Sequence, residues 1–317
     1  MSAPDTVTVY LGEELASYGF GTGHPFGTDR LSVFWSAMTR RGLADRVAVA
    51  APVRATRAEL ECFHTAAYVD LVVQRSEAGV GFLDYGDTPA FRGVYEAACW
   101  VAGSACDALN RLVAGTTRRA FVPIGGLHHA RRDRAGGFCV FNDCGIVIEL
   151  ARSRHTLRRI AYVDIDAHHG DGVLYGFEND PEVVIADIHE DGRFLYPGTG
   201  FANETGRGSA AGTKLNLPLQ PGAGDAEFAD AWRRAESQVD AARPELVILQ
   251  CGADGLAGDP LTHLRYSPTA HTLAASRLCA IADRHCDGRL LALGGGGYDH
   301  AGLGDGWCAV VEAMLDS

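Results

Sequence analysis

Short runs of apolar and β-branched residues alternate along the chain with longer stretches of helical periodicity. The runs at 7–11, 120–124, 160–165, 183–188, 246–251 and 290–293 are apolar at consecutive positions. Strands covered on both faces carry that pattern, so each run predicts a buried parallel strand. The stretches 28–41, 89–114, 142–152, 225–242, 268–286 and 302–315 predict helices between them. Strict alternation of this kind predicts an open α/β fold, one parallel sheet with helices on both faces. Many glycines gather directly after the predicted strands, in Gly125-Gly126, Gly136-Gly137, Gly198 to Gly200 and Gly294 to Gly297. Open α/β sheets bind ligands at the carboxyl ends of their strands, so these loops are where chemistry is expected. Residues 203–213 read as a long surface loop, and no repeat, low-complexity tract or Pro/Ser-rich linker marks a boundary. Residues 1–317 are therefore read as a single domain.

Composition narrows the function. With 28 basic and 40 acidic residues the formal net charge is -12, which argues against direct nucleic-acid binding and against an anionic membrane surface. No apolar run approaches the ~18 residues of a membrane span, and residues 1–12 lack a basic segment followed by an apolar stretch and cleavage site. A cytoplasmic location is expected. The nine cysteines form an odd set without a Cys-x-x-Cys framework, so they are expected to be reduced and structural rather than disulfide or thiolate–zinc partners.

The densest chemistry is Tyr162-Val-Asp164-Ile-Asp166-Ala-His168-His169-Gly170-Asp171-Gly172, at the end of a predicted strand. Alternation along a strand puts Asp164 and Asp166 on one side, and His168 continues that side into the loop. Capping and turn residues before a helix would explain Asp171-Gly172, but not three carboxylates and two histidines in so short a segment, because buried charges are normally paired or metal-bound. Gly125-Gly126-Leu127-His128-His129-Ala130 supplies two neighbouring imidazoles, fit either as metal ligands or as acid/base groups each oriented by a carboxylate. If Asp166 and His168 bind metal, Asp164 and Asp171 are left to hold the histidines. Asp254, after the strand at 246–251, can complete an Asp166, His168, Asp254 set with positions open for water and substrate, as in a catalytic site. Asp259, before Pro260, reads as a residue fixing its own turn. Gly294-Gly-Gly-Gly297-Tyr298 would aim a phenol at a developing oxyanion, although alone it reads as a tight strand-to-helix connection. The remaining histidines His64, His155, His271, His285 and His300 read as satisfied core or surface residues.

In order along the chain, Gly23-His-Pro-Phe, Gly-Gly-Leu-His-His-Ala, Gly-Gly-Phe-Cys, Asp-Ile-Asp-Ala-His-His-Gly-Asp-Gly, Tyr-Pro-Gly-Thr-Gly and Gly-Gly-Gly-Gly-Tyr resemble the zinc-dependent histone deacetylase superfamily of the arginase–deacetylase fold. The resemblance covers essentially the whole chain and is nearest to bacterial, class I-like deacetylases of the acetoin-utilisation type. It implies zinc at Asp166, His168 and Asp254, with iron(II) or cobalt(II) as alternatives for the same donors. It implies His129 as general base and acid paired with Asp171, His128 as its electrostatic neighbour paired with Asp164, and Tyr298 as donor to the carbonyl oxygen. Gly137, Phe138 and Tyr196 would line the acyl-lysine tunnel, Asp87 would hold the substrate backbone at the rim, and Arg30 would stand on an acetate exit.

The chain departs from the family at particular positions. Asp187 stands where a Ser often contributes to a monovalent-cation site with Asp164, Asp166 and His168, which alters that site and leaves potassium a secondary expectation. Leu127 replaces a Trp found in some class I enzymes. Leu261 is apolar where polyamine-specific relatives carry Glu, which favours an acetylated lysine peptide or protein over an acylated polyamine or other small amine. Two other readings compete: a binuclear manganese ureohydrolase, which would want a carboxylate where Gly252 stands, and a non-catalytic acyl-ligand sensor, against which Tyr298 and both histidine–aspartate pairs speak.

Overall fold

The computed structural model describes residues 7–317; residues 1–6, part of the expected domain and of the N-terminal segment judged to lack a leader, lie outside the described residues. Eight strands among the described residues form one sheet: β1 Val7–Tyr10, β2 Ala48–Ala50, β3 Arg119–Val122, β4 Ile160–Asp164, β5 Val183–Glu190, β6 Lys214–Leu219, β7 Leu246–Gln250 and β8 Leu290–Leu293. Their order is β2-β1-β3-β8-β7-β4-β5-β6, and every neighbouring pair is parallel. The expected open α/β sheet is thus what the chain forms.

Ten α-helices among the described residues accompany it: α1 Glu13–Ala16, α2 Arg30–Arg40, α3 Arg57–Leu60, α4 Ala66–Ala78, α5 Val94–Val113, α6 Asp143–Ser153, α7 Asp171–Gly176, α8 Asp225–Ala242, α9 Pro268–His285 and α10 His300–Leu315. The helices α2, α10, α9 and α8 pack in succession as one row, while α5 packs with α6 and the short α1, α3 and α4. Chain chemistry sets the ends of several. Asn142 caps α6 by accepting from Gly145 N at 2.8 Å, Asp299 caps α10 through Gly302 N at 2.7 Å, and Pro268 opens α9, where no backbone donor is needed. Among the described residues no helix is long and apolar enough to cross a membrane. All nine cysteines are free thiols, and all but Cys62 are buried.

The structure corrects the sequence-based outline at both sheet edges. β2 is three residues long with two of them exposed, so it has no apolar run to detect. β6 hides behind Lys214, Asn216 and Pro218. The Lys214 side chain is nevertheless buried, its ammonium held by the carbonyl oxygens of Asp180 and Val183 and by Thr213 Oγ1. The helix expected over 89–114 begins only at Val94, because Gly93 at φ 95° breaks the helical path. The four helices α1, α3, α4 and α7 were not anticipated. Three of them are six residues or shorter, and α4 carries its buried Tyr68, Val69 and Val72 beside polar and charged neighbours.

The strand order matters most for function. The chain runs from β3 to β4, and the later strands β8 and β7 insert between them. The carboxyl ends of β3, β8, β7 and β4 therefore stand side by side at a switch in topology, the place where such sheets bind ligands.

Candidate active site

Each of these four strand ends delivers one sequence cluster. His128 and His129 follow β3, Asp166 and His168 follow β4, Asp254 follows β7 and Tyr298 follows β8. The loops carrying them are tied to one another by buried side chains. Asp143, at the start of α6, accepts Gly126 N at 2.8 Å and Leu127 N at 2.7 Å, and Asn142 Nδ2 donates to the carbonyls of His128 and Ala130. Gln250, the last residue of β7, donates from Nε2 to Asp166 Oδ2 at 2.8 Å and to Gly126 O at 3.1 Å, while its Oε1 accepts Gly252 N.

Asp166, His168 and Asp254 each offer one ligand atom, and these atoms lie within 4.8 Å of one another. Backbone and side-chain donors anchor both carboxylates, and Asp166 Oδ1 also accepts from His168 N at 3.0 Å. Asp166 Oδ2 accepts from Gln250 and from Gly296 N, leaving Oδ1 at 3.2 Å from His168 Nδ1. Asp254 Oδ1 accepts from Ala167 N, leaving Oδ2 at 3.0 Å from the same nitrogen. Two carboxylates held by surrounding donors and an imidazole make an N/O donor set that could hold a divalent ion. Burial lowers the His168 pKa, but its hydrogen bonds to Asp166 and Asp254 outweigh burial and push it up to about 10. The pocket thus favours positive charge at that point. Glycine keeps the space clear: a Cβ on Gly252 would overlap Asp166 Oδ2, and one on Gly296 would overlap Asp254 Oδ2. No room exists for the carboxylate at 252 that a binuclear centre would want. Gly252→Ala is accordingly expected to lower metal content well below one equivalent with the far-ultraviolet circular dichroism unchanged. Full occupancy in that variant would contradict the packing.

The two histidines are joined to the carboxylates as pairs. His128 Nδ1–H donates to Asp164 Oδ2 and His129 Nδ1–H to Asp171 Oδ1, both at 2.8 Å, and the two Nε2 atoms are 3.1 Å apart. Their environments differ. From the protein's own groups alone, burial and then the neighbouring His128 push His129 down to about 4. Burial would do the same to His128, but Asp164, Asp166 and Asp187 together raise it to about 10. Asp164 is itself held by Tyr162 OH at 2.5 Å and by donating Asp166 N.

Beside these groups a cavity of about 230 Å³ is lined by Phe138, Tyr196, Leu195, Leu261, His129 and Tyr298, with Gly137, His168 and Asp87 completing it. Phe138 has φ 67°, a left-handed conformation held by Thr88 Oγ1 at its N–H and Tyr18 OH at its carbonyl. A Cβ on the preceding Gly137 would overlap His129, so only glycine fits there. Tyr196 lies edge-on to His129 with ring centroids 5.0 Å apart. Tyr298 is fixed through its backbone N–H, which donates to Asp259 Oδ2 at 2.8 Å, while Asp259 Oδ1 accepts Leu261 N. Asp259 therefore has its expected turn role and also anchors Tyr298. Burial raises the Tyr298 phenol well above its ordinary value, keeping it a donor. Asp87, exposed at the mouth, is raised by partial desolvation and by the neighbouring Asp84.

Residues 24–314 match the histone deacetylase domain. The chain belongs to the histone deacetylase family. The acetoin utilization protein AcuC of Bacillus subtilis is 36% identical over 306 residues, 93% of this chain and 78% of that protein. Histone deacetylase clr6 of Schizosaccharomyces pombe is 32% identical over 302 residues, 92% of this chain and 72% of that one. Among solved structures, the HD domain of HDA15 superposes with a TM-score of 0.90 at 27% identity, covering 98% of this chain and 90% of the other. As a histone deacetylase family member the protein is a hydrolase, and zinc dependence is general to that family.

Other expected residues are placed as follows. Arg30 lies buried beneath the glycine loop, Nε and Nη2 donating to the carbonyls of Gly297 and Gly295, with its guanidinium 4.1 Å from the Phe26 ring centroid. Its Nη1 has no partner among the described residues. Asp187 sits beside Asp164 on β5, but its Oδ1 accepts from His189 Nδ1 at 2.6 Å and its Oδ2 from Gly170 N. His155, His285 and His300 pair with Asn110, Asp240 and Asp29 as expected of satisfied residues, whereas His64 accepts Asn142 N and His271 donates to Gly252 O through Nε2 but each leaves a buried Nδ1 without a partner among the described residues. The sequence reading missed Gln250, Asp143, Asn142 and Tyr18. Only Asn142-Asp143 carried a local signal, as the polar start of a predicted helix.

Proposed function

We propose that the protein removes acetyl, or another short acyl group, from the side-chain amine of lysine in a peptide or protein. The observation that carries this reading is the cavity of about 230 Å³, whose aromatic and aliphatic walls reach His168 of the Asp166, His168, Asp254 cluster. Such walls suit an uncharged methylene stem and an amide rather than a charged chain. Zinc is the proposed ion at the three ligands, with iron(II) or cobalt(II) compatible with the same donors. When bound, the cation supplies the Lewis acidity that amide hydrolysis needs.

The chain's own groups divide the remaining work. His129 accepts at Nε2 the proton of the attacking water, while Asp171 fixes its tautomer through Nδ1–H. As the new C–O bond forms and the C–N bond breaks, the same nitrogen returns the proton to the departing amine. His128, held by Asp164, supports charge beside it. Tyr298 donates its hydroxyl proton in a hydrogen bond to the carbonyl oxygen as charge develops there. Gly137 and Phe138 face Tyr196 and Leu261 across the stem, and Asp87 at the mouth takes the substrate backbone. Arg30, with an unpartnered Nη1, is the group proposed to guide the carboxylate product. Potassium is proposed only as a secondary ligand near Asp164, Asp166, His168 and Asp187, since protein donors already engage Asp164 and Asp187. The full span 1–317 is proposed as a single catalytic domain working in the cytoplasm.

Leu261 on the wall favours the peptide over an acetylated polyamine, the second candidate substrate. Side-by-side hydrolysis of an acetyl-lysine peptide and an acetylpolyamine by the zinc-loaded protein decides between them. Preferential turnover of the peptide, abolished by chelator, is expected. Tyr298→Phe should lower kcat by about 10²–10³-fold, the loss typical of one oxyanion donor, with metal content unchanged. Preference for the polyamine would transfer the assignment to that substrate.

A further inference from the structure

The two histidine–aspartate pairs are not built alike. Asp164 is gripped from several sides, by His128 and Tyr162 at Oδ2 and by Asp166 N at Oδ1. Asp171 has no backbone donor among the described residues. Its Oδ1 takes His129 Nδ1–H, and its Oδ2 takes only Arg131, from Nε at 3.1 Å and Nη2 at 2.7 Å. We propose that Arg131 is a positioning residue for the reaction, clamping Asp171 from outside the tunnel and thereby fixing the His129 ring against the substrate amide. The proposal rests on the acyl-lysine hydrolase reading above.

The clamp is itself preorganised. The Arg131 guanidinium lies 4.5 Å from the Tyr175 ring centroid, Tyr175 OH donates to Glu204 at 2.6 Å, and Arg131 N donates to Arg134 O. Arg131 also belongs to the loop that carries His129, two residues on, so one short segment sets both ends of the relay. An exposed arginine pair would be worth little, but here the carboxylate is buried, its side chain 6% exposed. Without Arg131, Oδ2 would face the outer cavity of about 480 Å³ that His129, Asp171, Arg131 and Arg134 line together. Rotation of the carboxylate toward water there would carry Oδ1 off the line to His129. Hydrogen bonds to the groups that orient reacting side chains commonly matter by 10–100-fold.

Because Arg131 is 30% exposed on that open cavity, a small guanidinium can reach its place. Arg131→Ala is expected to lower kcat by roughly 10–100-fold with KM and metal content close to wild type. Millimolar methylguanidinium should restore part of kcat in that variant and none in Asp171→Asn. Arg131→Lys, which keeps the charge but not the two-point contact, should fall between, and serves where the alanine variant does not fold. Nitrogen-15 NMR of histidine-labelled protein gives a readout independent of turnover. The hydrogen-bonded His129 Nδ1–H signal should broaden or shift in Arg131→Ala and recover with methylguanidinium. If the wild-type protein hydrolyses no acyl-lysine, the substrate assignment fails and the NMR signal alone decides the clamp. Wild-type kcat in Arg131→Ala, a loss confined to KM, or an unchanged His129 signal would each overturn it.

Discussion

Asp254→Ala is expected to lose both stoichiometric zinc binding and turnover, the latter by about 10³-fold or more, since the Lewis-acid contribution amounts to several kcal/mol at ~1.4 kcal/mol per tenfold. Two donors would remain, and both depend on Asp254. Its Oδ2 approaches His168 Nδ1 and its Oδ1 holds Ala167 N, between Asp166 and His168. Removing it therefore deletes one ligand and loosens the segment carrying the other two. Metal analysis after exhaustive dialysis, with isothermal titration of zinc into the stripped protein, measures the effect directly. Asp259→Ala is the matched control, because that carboxylate lies only five residues away and contacts Tyr298 N and Leu261 N rather than the ligand cluster. It should keep its metal while losing turnover. An Asp254→Ala protein that binds one equivalent of zinc as tightly as wild type would remove Asp254 from the ligand set.

The four clusters were legible because each is a continuous strand-end and loop. Strand periodicity locates the segment, and the density of carboxylates and imidazoles marks it as more than a turn. Their meeting in one place was not legible. It depends on β8 and β7 inserting between β3 and β4, a matter of strand order that no local pattern encodes. The supporting residues were hidden for the same reason. Gln250 is an ordinary polar residue at a strand end until it is seen spanning Gly126 and Asp166, which lie 124 and 84 residues away in the chain. Arg131 reads as one basic residue among several in Arg131-Arg-Asp-Arg134 until Asp171 is found against it. Asp259 shows the opposite case. The expected turn was correct, but the second oxygen's contact with Tyr298 needed the fold. The edge strand β6 escaped because a buried lysine imitates an exposed one wherever backbone carbonyls receive its ammonium.

His129→Ala is expected to lower kcat by about 10³-fold, within the 10²–10⁴ range of a single acid/base group, while zinc content stays at the wild-type level. The metal should persist because none of the three ligand-bearing residues takes a hydrogen bond from His129; its partners are Asp171 and His128. His128 cannot take over the proton transfer. Its Nδ1–H is committed to Asp164, and the surrounding carboxylates raise its pKa, which favours the protonated ring and makes it a poor proton acceptor. The same carboxylate surroundings would let His128 keep supporting charge, so the variant should retain residual turnover above the chelator-treated protein. In the proposed reading Phe138, Tyr196 and Leu261 hold the substrate stem, so KM should change little and the loss should fall on kcat. Steady-state kinetics on an acetyl-lysine peptide, run alongside metal analysis of the same preparation, separates these terms. Near-normal kcat would move the general base elsewhere, and loss of zinc would mean that His129 supports the metal rather than the proton transfer.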